Sequence, residues 1–173
     1  MSVSVHNVLR SGTLETGTLL EPGAVLTELN RLFQMDRHDD HYFTIWYGVY
    51  QASSRTMRYA SAGHPPALGI ADDVAPKHLS AVSIPIGIEE HTHFETLRYA
   101  VPHDCNIVIY SDGAFELDVH GDRRWSLGQF SDVCARIAQE PDWTLDMLMA
   151  ELQKRSASGL FEDDCTVVRL HIR

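Results

Sequence analysis

Two short acidic motifs, each at one end of a strongly apolar run, constrain the fold of this chain more than any other feature. The first is SDG at residues 111–113, directly after the run NIVIY at 106–110. The second is DDCT at 163–166, directly before the run VVRLHI at 167–172. Short apolar runs rich in β-branched residues predict buried β-strands. Both acidic motifs are therefore expected at strand ends.

Carboxylates at strand ends suit one kind of chemistry. A buried strand holds its terminal carboxylate rigidly while the side chain faces solvent at the rim of the fold. Hard cations such as Mg²⁺ and Mn²⁺ bind there through oxygen ligands and several retained waters. Two such ends, side by side in one sheet, predict a shared metal site.

The remaining pattern predicts strands in the middle of the chain and helices on either side. Helical periodicity covers residues 2–10, Pro22 to Met35, 127–137 and, after a break at Pro141, 145–152, whereas strand patterns cover 42–50, 56–62, 67–70, 77–81, 93–101, 106–110 and 167–172. The segment 84–88 is apolar, but its Pro and Gly argue against a regular strand. Strands followed by helices with one closing strand indicate an α+β layered domain.

Length and composition exclude several classes of protein. The 173 residues predict one domain, and the net charge of −10 argues against nucleic-acid binding, which depends on clustered Lys and Arg. No apolar run approaches the length of a membrane span, and the N-terminus carries no secretory pattern. The three cysteines are odd in number and lack CxxC spacing, which favours reduced thiols in the cytoplasm.

The order of the motifs resembles a known family. YFT at 42–44 is followed by YASAGHPP at 59–66, IPIG at 84–87, YSDG at 110–113 with Glu116, and DDCT at 163–166. This series resembles the bacterial metal-dependent protein phosphatases of the PPM type, in the stage II sporulation protein E-like branch. The resemblance implies a single domain over 1–173, folded as an α/β/β/α sandwich of two antiparallel sheets flanked by helices.

The resemblance also implies a site and a substrate. In that family the Asp of the S/T-D-G motif and the first Asp of the D-D-x-T motif bind two catalytic Mn²⁺ or Mg²⁺ ions, which corresponds here to Asp112 and Asp163. Asp164 is a further ligand or a turn residue that bonds backbone amides. A metal-bound water would attack a phosphoserine or phosphothreonine of a protein such as an anti-sigma-factor antagonist. Family members often form the output domain of response regulators.

One family motif does not occur in this sequence. The D-x-x-G-H-G pattern, which normally precedes the first long helix, is absent from the 173 residues. The phosphatase domain is therefore expected to be incomplete at its N-terminus, with open sheet edges that favour a homodimer. Two alternatives follow: a catalytically incomplete module that acts by binding a protein, and, less favoured, a metal-binding α+β protein without phosphatase ancestry.

Several polar residues have a simpler interpretation beside the functional one. Asp112 alone is also typical of an ordinary turn, and Glu116 is either a group that supports the metal ligands or a solvated side chain. His64 is expected to be a turn residue bonded to backbone and not a catalytic acid. The polar segments 38–41 and 89–93 are interpreted as solvated loops, because their spacing fits no tetrahedral zinc site.

Overall fold

The computed structural model describes residues 2–37, 40–72, 74–119, 123–140 and 142–173. The helices are α1 (Ser2–Arg10), α2 (Thr16–Leu19), α3 (Pro22–Leu32), α4 (Leu127–Ala138) and α5 (Leu145–Arg155). The strands are β1 (Ile45–Gln51), β2 (Thr56–Ala62), β3 (Ala67–Ile70), β4 (Lys77–Leu79), β5 (Leu97–Ala100), β6 (Cys105–Tyr110), β7 (Asp118–Val119), β8 (Arg123–Arg124) and β9 (Val167–Ile172). The chain divides into two compact units, one made of residues up to Pro66 with Leu79–Val101, and the other of Ala67–His78 with Pro102–Arg173.

The first unit is built around helix α3 and a three-stranded antiparallel sheet of order β1-β2-β5. Pro22 occupies the first turn of α3, where its missing N–H leaves no hydrogen bond unmade. The apolar stripe of α3 is buried, and it packs with sheet residues into one core cluster: Leu14, Val25, Leu26, Leu29, Phe33, Ala60, Ala62, Ile86 and Phe94. Amphipathic periodicity thus sets which face of α3 is inside.

A buried asparagine organises the irregular segment of this unit. Asn30 is 0% exposed; its amide nitrogen donates to the carbonyls of Glu89 (2.8 Å) and Glu90 (3.2 Å), and its amide oxygen accepts from Gly87 N–H (2.8 Å). Gly87 has φ +99°, a backbone conformation that glycine adopts without steric cost. The expectation that 84–88 forms no regular strand is confirmed, since Ile86 makes only an isolated bridge with Phe43.

The second unit places helices α4 and α5 in one core with the sheet β4-β3-β6-β9. Helix α4 begins with a capping box in which Ser126 and Gln129 satisfy each other's backbone amides. At the start of α5 the Thr144 hydroxyl accepts from Met147 N–H, a simple N-cap. The largest buried side chains of the cluster include Tyr110, Leu117, Phe130, Leu148 and Leu152.

The α+β class is confirmed, but several predicted boundaries are wrong. Helix α3 ends at Leu32 and not at Met35, because Met35 N–H bonds the carbonyl of Gly87. The strand predicted over 93–101 is confined to β5, because the preceding residues contact α3: Gly23 N–H donates to the Thr96 hydroxyl. Helix α2 lies outside the segments in which the sequence shows helical periodicity.

The predicted helix break at Pro141 lies outside the described residues. The short strands β7 and β8 were not predicted. No helix in the described part of the chain is long and apolar enough to cross a bilayer.

Candidate metal centre

Antiparallel pairing of β6 with β9 brings the two acidic motifs to the same end of one sheet. The two strands form six residue pairs, from Cys105↔Ile172 to Tyr110↔Val167. The residue after β6, Ser111, therefore faces the residue before β9, Thr166, and Ser111 N–H donates to the Thr166 carbonyl at 3.0 Å. The predicted juxtaposition of the two strand ends is thus present in the structure.

The Ser111 hydroxyl makes two further hydrogen bonds across the strand ends. It donates to the carbonyl of Asp164 at 2.8 Å and accepts from Thr166 N–H at 2.9 Å. One side chain therefore bridges both sides of Cys165. These bonds extend the contact between the two chain segments beyond the regular ladder.

Each expected ligand is oriented by its own neighbour. Asp112 opens a 3₁₀ turn, its Oδ1 accepts from Gly113 N–H at 3.0 Å, and its carbonyl accepts from Glu116 N–H at 2.8 Å. Asp163 Oδ1 accepts from Asp164 N–H at 2.7 Å. The side chains of Asp112, Asp163 and Asp164 are all exposed. Asp112 and Asp163 thus each accept a backbone N–H through one carboxylate oxygen, as an aspartate in an ordinary turn does. Both side chains nevertheless stay exposed to solvent.

The turn that carries Asp112 is anchored in the core of the second unit. Ala114 and Leu117 are buried at 0% and 1% exposure. Tyr110, the last residue of β6, packs its ring 4.4 Å from that of Phe130, and burial raises the pKa of the Tyr110 phenol. A carboxylate on an anchored turn loses little conformational freedom when it binds a ligand.

The donor set has the chemistry of a hard-cation site. Asp112 and Asp163 supply carboxylate oxygens at an exposed sheet end, where water can complete the coordination shell, as Mg²⁺ and Mn²⁺ require. Within the residues that the structure describes, no group of three or more His, Cys, Asp or Glu side chains is arranged to hold a metal. A divalent cation at this sheet end would therefore have to be held by Asp112 and Asp163 alone, with water completing its shell.

The other polar candidates are exposed or bond the backbone near them. Glu116 is exposed, so the structure favours the solvated interpretation. His64 Nδ1 lies 2.8 Å from the carbonyl of Pro65, as expected of a turn histidine. In the segment 38–41, residues 38 and 39 lie outside the described residues, and Asp40 and His41 are exposed.

Two residues beside Asp112 shape this site and are not among the predicted site residues. The Ser111 hydroxyl joins the two motifs. At Gly113 a Cβ would lie 2.8 Å from the carbonyl oxygen of Asp164 and 3.1 Å from that of Asp163. The signal was the presence of a small hydroxyl residue and a glycine on either side of Asp112.

Known proteins share this sequence pattern. The chain is 36% identical over 102 residues to phosphoserine phosphatase RsbP of Bacillus subtilis (strain 168), a match that covers 56% of this chain and 25% of that protein. It is 24% identical over 157 residues to the stage II sporulation protein E of Priestia megaterium, covering 90% and 26%. The chain thus spans about a quarter of the length of these curated relatives.

Solved structures share the fold. The SiaA-PP2C domain of Pseudomonas aeruginosa superposes with a TM-score of 0.83 at 13% identity, covering 99% of this chain and 69% of that one. The PP2C phosphatase domain of SpoIIE from Bacillus subtilis, solved with a fragment of its regulatory domain, gives 0.76 at 20% identity, covering 99% and 48%. The family model for stage II sporulation protein E (SpoIIE) matches residues 1–173. The resemblance predicted from the motifs is confirmed, and the chain belongs to the SpoIIE family.

Proposed function

We propose that residues 1–173 belong to a single PPM-type phosphatase domain that removes phosphate from phosphoserine or phosphothreonine of a protein. The observation that carries the proposal is the junction of the two acidic motifs, which places Asp112 and Asp163 at one end of the β6–β9 pair. Membership of the SpoIIE family and the similarity to a phosphoserine phosphatase support it.

Asp112 and Asp163 would hold the divalent cation, and Asp164, whose side chain is also exposed, is a further candidate ligand. When bound, Mg²⁺ or Mn²⁺ neutralises charge on phosphate oxygens and acidifies a water molecule. Phosphoryl transfer requires positioning and charge neutralisation more than a covalent nucleophile. The protein's part is to hold two carboxylates on anchored strand ends.

A cysteine nucleophile does not fit this site. Cys165 lies between the two residues that Ser111 contacts, and partial burial raises the pKa of its thiol. A thiol with a raised pKa is protonated at neutral pH, whereas the nucleophilic form is the thiolate. We propose hydrolysis by a water molecule beside the two carboxylates.

The exposure of the site favours a protein substrate. Asp112 and Asp163 are exposed, so a phosphorylated side chain on the surface of another folded protein can reach them. We propose a substrate such as an anti-sigma-factor antagonist, within a bacterial signalling protein or response regulator in the cytoplasm. None of the three cysteines is in a disulfide, which is compatible with that compartment.

The test combines activity with metal binding. Mn²⁺-dependent hydrolysis of p-nitrophenyl phosphate and of a phosphoserine peptide is measured for the wild-type chain and for Asp112→Asn and Asp163→Asn. We expect both variants to lose activity by about 100-fold or more. The matched control is Asp132→Asn, at an exposed carboxylate on α4, which should keep wild-type activity.

The outcomes separate the proposed enzyme from a binding module. Equal activity in Asp112→Asn and wild type would contradict the assignment of the site. If the folded wild-type chain hydrolyses neither substrate, the proposed phosphatase activity is contradicted and a module that acts by protein binding is favoured.

The homodimer remains a prediction. In the described part of the chain, β1 is an edge strand of its sheet. A second copy pairing there would be recognised by its mass in light scattering, and a monomer would exclude it.

A further inference from the structure

Three hydrogen bonds tie Ser111 to the segment 164–166. Its N–H donates to the Thr166 carbonyl (3.0 Å), its hydroxyl accepts from Thr166 N–H (2.9 Å), and the same hydroxyl donates to the Asp164 carbonyl (2.8 Å). A hydroxyl that donates and accepts at once has a defined orientation. Ser111 therefore holds its own strand end to segment 164–166 with two side-chain hydrogen bonds in addition to the backbone hydrogen bond.

Gly113 brings the same segments together from the other side of Asp112. An ideal Cβ at Gly113 would lie 2.8 Å from the Asp164 carbonyl oxygen and 3.1 Å from that of Asp163, and no flexible side chain is available to move away. Its φ is not in the left-handed region, so glycine is needed for the close approach and not for the backbone angle. The chain on both sides of Asp112 is thus held against residues 163–166.

From these contacts we propose that Ser111 is a positioning residue that sets the spacing of Asp112 and Asp163, and that Gly113 is required for the same spacing. Asp112 directly follows Ser111, and Asp163 directly precedes Asp164. Among the hydrogen bonds of the described residues, each carboxylate otherwise accepts only from the amide of the next residue. This inference rests on the proposed function, because it assigns the spacing to cation binding by the two carboxylates.

The contribution of Ser111 is separable from that of the fold. The six residue pairs of β6 and β9 already determine the register of the two strands. Ala114 and Leu117 independently anchor the turn after Asp112 in the core. Loss of the Ser111 hydroxyl should therefore loosen the strand ends while the sheet persists.

Five variants of the full chain test the proposal. Ser111→Ala removes the hydroxyl, Ser111→Thr retains one, and Gly113→Ala adds the methyl group that the carbonyls exclude. Ser53→Ala is the matched serine control, since its exposed hydroxyl, among the hydrogen bonds of the described residues, accepts only from the Gln51 side chain. Gly128→Ala is the matched glycine control, since the nearest atom to its Cβ is the Ser126 hydroxyl at an ordinary 3.8 Å.

Two measurements are made on each variant. Calorimetric titration with Mn²⁺ alone gives the cation affinity, and hydrogen exchange of the metal-free chain, followed by mass spectrometry, gives the protection of segment 163–166. We expect Ser111→Ala and Gly113→Ala to lower Mn²⁺ affinity by about tenfold or more. Both should also accelerate exchange in 163–166 and leave α4 unchanged, whereas Ser111→Thr and the two controls should stay close to wild type.

The results distinguish failure of this inference from failure of the proposed function. If wild type binds Mn²⁺ and Ser111→Ala binds it equally well, the positioning role is overturned and the proposed function stands. If wild type binds no Mn²⁺, both are overturned. Should Ser111→Ala fail to fold by circular dichroism, Gly113→Ala decides, and unchanged affinity and exchange in that variant would overturn the inference.

Discussion

Replacement of Asn30 by alanine tests how much one buried side chain contributes to the first unit. Asn30 is 0% exposed and is the only side chain that bonds Gly87 N–H among the hydrogen bonds of the described residues. Alanine would leave that amide without its partner in the interior. It would also remove the donor to the carbonyls of Glu89 and Glu90.

The magnitude follows from these three hydrogen bonds. A buried amide left without a partner costs about 1–3 kcal/mol. The two carbonyls belong to exposed residues, so water replaces part of what they lose, and together they add about 1 kcal/mol. The free energy of unfolding should therefore fall by about 2–4 kcal/mol, a large share of the total stability of an ordinary domain.

Urea denaturation followed by circular dichroism measures this loss. Hydrogen exchange locates it, since protection should fall first in segment 84–90. The control is Arg31→Ala on the same helix, where one exposed ion pair with Glu28 is removed and the change should stay within about 0.5 kcal/mol. A loss below about 1 kcal/mol for Asn30→Ala, or unchanged protection of 84–90, would refute the reasoning.

Three further predictions concern other parts of the molecule. Iodoacetamide should label native Cys165 before Cys105 and Cys134, which are 0% and 1% exposed; mass mapping that finds equal rates would contradict this order. Burial raises the pKa of the Cys134 thiol from 9.0 to about 12. Between pH 9.0 and about 12 the Cys134 thiolate therefore forms only in the unfolded chain. This thiol should therefore lower stability by about 1.4 kcal/mol per pH unit as pH rises above 9.0, a dependence that Cys134→Ala should remove in alkaline urea denaturation. Arg169→Lys should lower the free energy of unfolding by about 1–2 kcal/mol, because lysine cannot both donate to the Trp143 carbonyl and lie flat over the Trp143 ring, whose centroid is 3.9 Å from the Arg169 guanidinium carbon. An equal effect of Arg136→Lys, at an exposed position on α4, would contradict this reasoning.

Much of the fold was predictable from local pattern. The apolar stripe of α3 has a helical period that selects its buried face. The continuous apolar run of β6 instead predicts a strand that is buried along nearly its whole length, as observed. Boundaries were less predictable where a distant residue competes for a backbone group. Met35, whose amide bonds Gly87, is such a case, and no local signal reveals that partner.

Local sequence is enough to identify the carboxylates at the two strand ends, Asp112 and Asp163, and their oxygen donors. The order of the motifs along the chain is likewise enough to identify the family. The contacts by which Ser111 and Gly113 hold those ends together become visible only in the folded chain. Their partners lie fifty or more residues away, and the contact exists only after β6 pairs with β9. Periodicity reports which face of an element is buried, whereas the spacing of two carboxylates depends on a register that long-range pairing alone creates.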